Sequence, residues 1–148
     1  MAYESHPTLG LYGSYGFGDS ELGKDLGGGA LEGGARLSQF FGGGFLISYH
    51  RVPNESANWI RILIVTDFHI LSEESKSDFY LSSGIGDGIL NNDHSLSLMA
   101  RAGFDYWLTD SLAASITAEF THELAIVEQI SRPSFSAGIL NAGIRFGF

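Results

Sequence analysis

The stretch Asn141-Ala142-Gly143-Ile144-Arg145-Phe146-Gly147-Phe148 decides how the chain is read. With a period of two, Leu140, Ala142, Ile144, Phe146 and Phe148 share one face, and Asn141, Gly143, Arg145 and Gly147 share the other. That is a β-strand with one apolar and one small or polar face. A strand in this position has an open edge, which needs blunting or pairing. Closing a barrel against the first strand is one way to remove it.

The same alternation runs back through the chain. Strand one is expected over Thr8 to Gly18, with Leu9, Leu11, Tyr15 and Phe17 on the apolar face, after a short tail over residues 1–7. Residues 19–28 read as a Gly-rich acidic loop. Gly29 to Phe40 alternates, Phe41-Gly42-Gly43 reads as a tight turn, and Phe45, Ile47 and Tyr49 resume the pattern. After a loop at 53–58, Trp59 to Leu71 places Ile60, Ile62, Ile64, Phe68 and Ile70 opposite Arg61, Leu63, Val65, Asp67 and His69. Residues 72–77 form a polar turn, and Phe79 to Gly86 is the next strand. Residues 87–94 read as a loop.

Ser95 to Leu108, a Thr109-Asp110-Ser111 turn, and Leu112 to Thr121 make a hairpin. A longer loop at 122–133 precedes the last strand. There Phe135 and Ile139 fall on the polar side, which suggests a bulge. Eight strands result, most near the ~9–11 residues that cross a bilayer at a tilt. Long and short connections roughly alternate, so the long ones (19–28, 53–58, 87–94, 122–133) gather at one rim. The expected fold is all-β: one domain over residues 1–148, an eight-stranded antiparallel up-and-down transmembrane β-barrel.

Composition agrees. Charged residues are 17%, below the usual quarter of a soluble domain, and the only lysines are Lys24 and Lys76. A soluble β protein dresses its solvent face and edges with lysine. The net charge of −9 leaves no basic stripe for nucleic acid. There is no cysteine, hence neither a disulfide framework nor a thiolate metal site. Residues 1–7 lack the basic region and apolar core of a signal peptide, so an exported protein would be met here in a mature form.

Alternation alone does not say which face is inside. A lipocalin-like soluble barrel turns its apolar face inward around a ligand, and a membrane barrel turns it toward lipid. Three features favour the second. The polar face is rich in Gly and Ser with sparse opposite charges, which suits a narrow filled lumen. Lysine is nearly missing. Aromatics sit at both ends of the apolar face, as a bilayer selects. Tyr15, Phe17, Tyr49 and Phe120 lie toward the long-loop rim, and Phe68, Tyr106, Phe146 and Phe148 toward the other. Trp59 and Trp107 are read as interface anchors near opposite rims.

The terminal segment ending at Phe148 resembles the C-terminal signature of bacterial outer-membrane barrels. Residues 102–112 (Ala102-Gly103-Phe104-Asp105-Tyr106-Trp107-Leu108-Thr109-Asp110-Ser111-Leu112) and Ala118-Glu119-Phe120 extend the likeness. The chain is similar over its whole length to the small eight-stranded outer-membrane proteins of the OmpA/OmpX type. That resemblance implies a monomer in the outer membrane of a Gram-negative-type bacterium. Its partners would be the lipid bilayer, or detergent, and the barrel-assembly machinery, engaged through the last strand.

The inward charges are expected to be Glu32, Arg36, Arg61, Asp67, Arg101, Asp105, Glu119 and Arg145, with His50 and His69. In a narrow lumen they must be paired or hydrated. A three-residue turn at Thr109–Ser111 sets Arg101 opposite Glu119. No histidine pair has metal-ligand spacing, so neither a metal nor another cofactor is expected. Two kinds of eight-stranded outer-membrane barrel are lipid A enzymes. The deacylase kind carries a His-x-Ser pair on one strand, but here His122 is followed by Glu123 and Leu124. No catalytic residue is assigned. The expected function is a non-enzymatic outer-membrane protein with a structural or surface-contacting role and a polar, largely plugged lumen; the alternatives are a small ion or solute channel or carrier, a soluble ligand-binding barrel, and a designed barrel without a biological role.

Overall fold

The computed structural model describes residues 6–19, 25–52, 57–70, 76–125 and 134–148. Eight strands appear in chain order: β1 (His6–Gly18), β2 (Leu26–Arg36), β3 (Phe41–Val52), β4 (Ala57–His69), β5 (Ser77–Leu90), β6 (Asp93–Trp107), β7 (Leu112–Ala125) and β8 (Phe135–Gly147). Each pairs antiparallel with its sequence neighbours, and β8 closes on β1. No open edge remains.

The registers fix the shape. Stepping across hydrogen-bonded partners from Thr8 leads through Gly34, Gly44, Val65, Gly84, Met99, Thr121 and Ala137 back to β1 at Gly18, ten residues farther on. Such a stagger tilts the strands by about 40° and leaves an interior about wide enough for side chains. Even the shortest strand, β2 at 11 residues, then rises about 27 Å at ~3.3 Å per residue, near the ~25 Å apolar band of a membrane barrel.

The polarity is inverted relative to a soluble protein. Leu11, Ile47, Ile62, Ile64, Ile85 and Ile116 face outward and are exposed, whereas Arg61, Arg101, Asp105, Glu119 and Arg145 are buried. An apolar exterior around a charged interior rules out the lipocalin-like arrangement.

Several boundaries differ from the sequence reading. Phe41, Gly42 and Gly43 belong to β3, and the turn lies before them at 37–40. Leu37 N and Ser38 N both donate to the Phe41 carbonyl (2.8 and 3.0 Å), and Ser38 Oγ accepts from Phe41 N (3.1 Å). The turn before β7 repeats the design, with Leu108 N and Thr109 N donating to the Leu112 carbonyl and Thr109 Oγ1 accepting from Ser111 N. A serine or threonine hydroxyl therefore holds each turn. Leu26, Gly27 and Gly28, read as loop, open β2. His122 to Ala125 extend β7, and the rest of that loop lies outside the described residues, as do 53–56 and 71–75.

The expected loop at 87–94 is instead a tight hairpin. Leu90 pairs with Asp93 across Asn91 and Asn92, whose φ values are 51° and 69°. Asparagine tolerates this left-handed backbone, and two such residues in succession form the turn whose twist matches paired strands. No bulge occurs near residue 135 either. The β7–β8 register is unbroken from Glu123↔Phe135 to Leu112↔Phe146. Phe135 and Ile139 point inward because the lumen is apolar at that end.

Replacing Asn92 by Val is expected to destabilise the barrel by about 1–2 kcal/mol, because a β-branched residue resists positive φ. Asn92→Gly should be near neutral or stabilising. Urea unfolding of the micelle-folded chain would check both.

Candidate functional site

The lumen is the candidate site, and β4 gives its vertical order. From the long-loop rim to the rim of the termini, the inward residues are Trp59, Arg61, Leu63, Val65, Asp67 and His69. Each marks a layer to which the other strands contribute.

At the loop rim the lumen is closed by an apolar plug of Leu26, Val52, Ala57, Trp59, Leu90, Phe135, Ala137 and Ile139. Trp59 is fully buried, edge-on to Phe135 with centroids 5.4 Å apart and at the same separation from His50. Trp59 is therefore no interface anchor: its position on β4 is odd, and odd residues of that strand face inward. Beneath it, Arg61 stacks its guanidinium 4.8 Å over the indole and pairs with Glu119 at 2.6 Å. Asn141 Nδ2 donates to Glu119 Oε2 (3.3 Å) and Thr117 Oγ1 (2.9 Å). Nearby, Glu123 accepts from Ser95 and Ser97, each at 2.5 Å. Leu46, Leu63, Val65 and Met99 form an apolar half-collar at mid-height.

Below the collar lies the largest ionic cluster. Arg101 grips Glu32 with two parallel contacts, 2.7 and 3.0 Å, and reaches Asp67 at 3.4 Å. Ser82 Oγ donates to Asp67 Oδ1 (2.5 Å). Arg145 Nη2 donates to Tyr12 OH (2.9 Å), Tyr80 OH (3.0 Å) and Glu32 Oε1 (3.3 Å), while Nη1 lies 3.2 Å from Asp105 Oδ2. Tyr80 lies over Gly103, where a Cβ would fall 2.2 Å from the ring, so only glycine leaves room for it. Nearest the termini, His69 Nδ1 is 2.7 Å from Asp78 Oδ2, with Arg36 Nη1 3.6 Å from the same carboxylate oxygen.

The sequence-chosen charges thus occupy one lumen, but not always with the expected partner. Arg101 and Glu119 are directly opposed across β6 and β7, yet Arg101 turns to Glu32 and Asp67, and Glu119 to Arg61. In a barrel this narrow, a long arginine reaches the far wall as easily as its neighbour. Asp78, Glu123, Tyr12 and Tyr80 were not singled out. Asp78 fell between the turn at 72–77 and the strand expected from Phe79, Glu123 in the loop expected at 122–133, and the tyrosines lay on the polar face without a charge to mark them.

On the outer wall, Tyr15, Phe17, Tyr49, Phe68, Tyr106 and Phe148 are exposed and Phe146 is half-buried. Tyr15 OH donates to Asp25, and Tyr49 OH to Asn58 at 2.7 Å. Trp107 departs from the interface-anchor reading. Its position on β6 has lumenal parity, and it lines the mouth at the rim of the termini beside Gly147. His122 meets Ser136 across the β7–β8 pair, Nδ1 to Oγ at 2.7 Å, on the outer wall. The Asp19 carboxylate accepts the Ser136 backbone N–H (2.8 Å).

The terminal-rim mouth holds a cavity of about 640 Å³, with Arg145, Glu32 and Asp105 at its base and Trp107 and Phe148 at its lip. Among the described residues, no three histidine, aspartate or glutamate side chains converge as a metal site would require.

Comparison with solved structures places this architecture. Neisserial surface protein A (NspA) superposes with a TM-score of 0.71 at 15% identity, over 97% of each chain. The outer membrane protein OprG from Pseudomonas aeruginosa gives 0.65 at 8% identity, over 97% of this chain and 95% of its own. The outer membrane enzyme PagL gives 0.61 at 10% identity, over 94% and 98%. The fold is that of the small eight-stranded outer-membrane barrels. No protein-family model and no curated protein sequence matches the chain.

Two comparisons separate plug from girdle and pair from bystander. Trp59→Ala should destabilise the barrel by about 3–5 kcal/mol, as in a packed core, and far more than Phe120→Ala on the outer wall. Arg101→Leu removes the two-point partner of Glu32 and the arginine beside Asp67, leaving them Arg145 and Ser82, and should cost about 3–5 kcal/mol, with partial recovery when Glu32→Leu is added. Equilibrium unfolding in urea from lipid vesicles gives both differences.

Proposed function

We propose that the chain is an integral, monomeric outer-membrane barrel with a non-enzymatic structural or surface-contacting role and an occluded lumen. The inverted polarity carries this reading: a continuous apolar exterior requires lipid, and the charged interior has its own partners. Outer-membrane placement is supported by the likeness in fold to NspA and OprG. Assembly through the strand that ends at Phe148 follows from the terminal pattern.

The plug supports an occluded lumen over a channel. Trp59, Phe135 and Leu26 belong to one buried apolar cluster at the loop rim, and an apolar constriction of this kind disfavours the passage of water and ions. Nor does the likeness to PagL make this chain an enzyme. Its Ser136–His122 contact is a cross-strand hydrogen bond between two residues that also serve the β7–β8 edge of the rim.

Dilution from urea should yield a folded β protein in detergent micelles and not in plain buffer, with a heat-sensitive shift in gel mobility and a β circular-dichroism spectrum. A soluble monomeric barrel in buffer would overturn the reading. In planar bilayers the folded chain should show no resolved conductance steps. A fluorophosphonate probe should leave Ser136 unlabelled in the folded state; labelling that His122→Ala abolishes would move the reading to an enzyme.

A further inference from the structure

We propose that the lumen holds a second, enclosed site at the underside of the apolar plug, where His50, Trp59 and Arg61 bind ordered water. The proposal goes beyond the occluded-lumen reading, which rests on the apolar layer and not on the polar groups set against it.

The three side chains form one contact group. The His50 and Trp59 rings stand on paired positions of β3 and β4 with centroids 5.4 Å apart, and the Arg61 guanidinium lies 4.8 Å from the indole. His50 and Trp59 are fully buried, and Arg61 is 1% exposed. Arg61 spends Nε on Ser48 Oγ (2.9 Å) and Nη2 on Glu119 (2.6 Å), which leaves Nη1. That nitrogen, Trp59 Nε1 and both ring nitrogens of His50 have no partner in the protein. Buried polar atoms without partners are costly and rare in folded proteins. Four of them on three touching residues mark one place where partners are needed. The inward neighbours of His50 across β2 and along β3 are Gly28 and Ser48, short enough to leave room for a guest of water's size.

The chemistry of the four nitrogens selects the guest. Arg61 Nη1 and Trp59 Nε1 only donate, whereas an uncharged imidazole donates from one nitrogen and accepts at the other. The guest must therefore both accept and donate. A cation finds no lone pair at Arg61 or Trp59. An anion meets Glu119, already on Arg61, and Glu123, held by Ser95 and Ser97. Water is small, neutral and amphoteric, and a buried water makes about three hydrogen bonds to groups of this kind. Leu26, Phe135 and Ile139 of the plug lie to one side of the group and Leu63 and Met99 of the collar to the other, so exchange with bulk water is slow.

The test uses the full chain folded in micelles, with the Trp59 indole N–H and the His50 ring protons followed by NMR. Both should show cross-relaxation with water, of opposite sign in nuclear Overhauser and rotating-frame spectra; proton exchange gives one sign in both. On transfer to deuterium oxide the Trp59 N–H should outlast that of Trp107 at the open mouth. His50→Leu should abolish the water contact at Trp59. Trp59→Phe, which keeps an aromatic ring, should leave the contact at His50. Replacing chloride by bromide at equal ionic strength should move neither signal. Heat-sensitive gel mobility shows whether each variant is folded, and the wild-type contact decides alone where one is not. A wild-type chain without water contact at Trp59, a bromide-dependent shift of its indole, or a folded His50→Leu chain with the contact unchanged would overturn the proposal.

Discussion

Barrel closure is the constraint from which the rest follows. Eight strands whose register advances ten residues per circuit enclose a space about wide enough for their own side chains. Inward residues therefore cannot be solvated as a surface is. Each arginine that enters must find carboxylates, and each carboxylate donors, from any of eight walls. That is why Arg101 meets Glu32, 69 positions away in sequence, and not the residue directly opposite it. Local pairing rules for sheets assume that the neighbouring strand is the nearest polar surface. In a closed narrow barrel the far wall is as near.

The two ends of the lumen solve the filling problem differently. At the loop rim the inward positions of β2, β3, β4, β5 and β8 are apolar, so the interior there is a core like that of a soluble protein, built on Trp59 and Phe135. At the opposite rim the inward positions carry charge and the cavity stays open. The exterior is apolar at both levels. Around Trp59 much of the inner face is apolar like the outer one, with His50 and Glu123 the buried polar exceptions, and alternation fades there on β4 and β8 without any break in the strands.

That fading marks where sequence was legible and where it was not. The count of eight strands, their antiparallel order and the inward placement of Glu32, Arg61, Asp67, Arg101, Asp105, Glu119 and Arg145 follow from alternation, because charge and bulk change sides every residue through mid-membrane. The readings at Trp59, Phe135 and Ile139 failed for one shared reason: hydrophobicity was taken to mean the lipid face, and at the plug it means the lumen. Trp107 differed because parity outranks residue type. It has the same parity as Asp105 and Arg101, and a bulky indole fits inside only because the mouth is wide and Gly147 lies beside it. At Asn91 and Asn92, polar composition suggested a long loop, whereas the left-handed tolerance of asparagine makes the tightest turn among the described residues.

Asymmetry along the axis also shapes what the molecule can do. A lumen filled by ionic pairs alone could open by exchanging partners, since Arg101 and Arg145 already share Glu32. The apolar plug has no such alternative state: moving Trp59 or Phe135 aside would leave a void or admit water among buried methyl and aromatic groups, and neither is compensated. Exchange among the charges below is therefore confined to the compartment facing the termini. Rearrangements there reshape the open cavity while the apolar end stays packed. The same physics that makes the charged half adaptable and the apolar half rigid separates an open, charged compartment from an apolar plug within a single barrel.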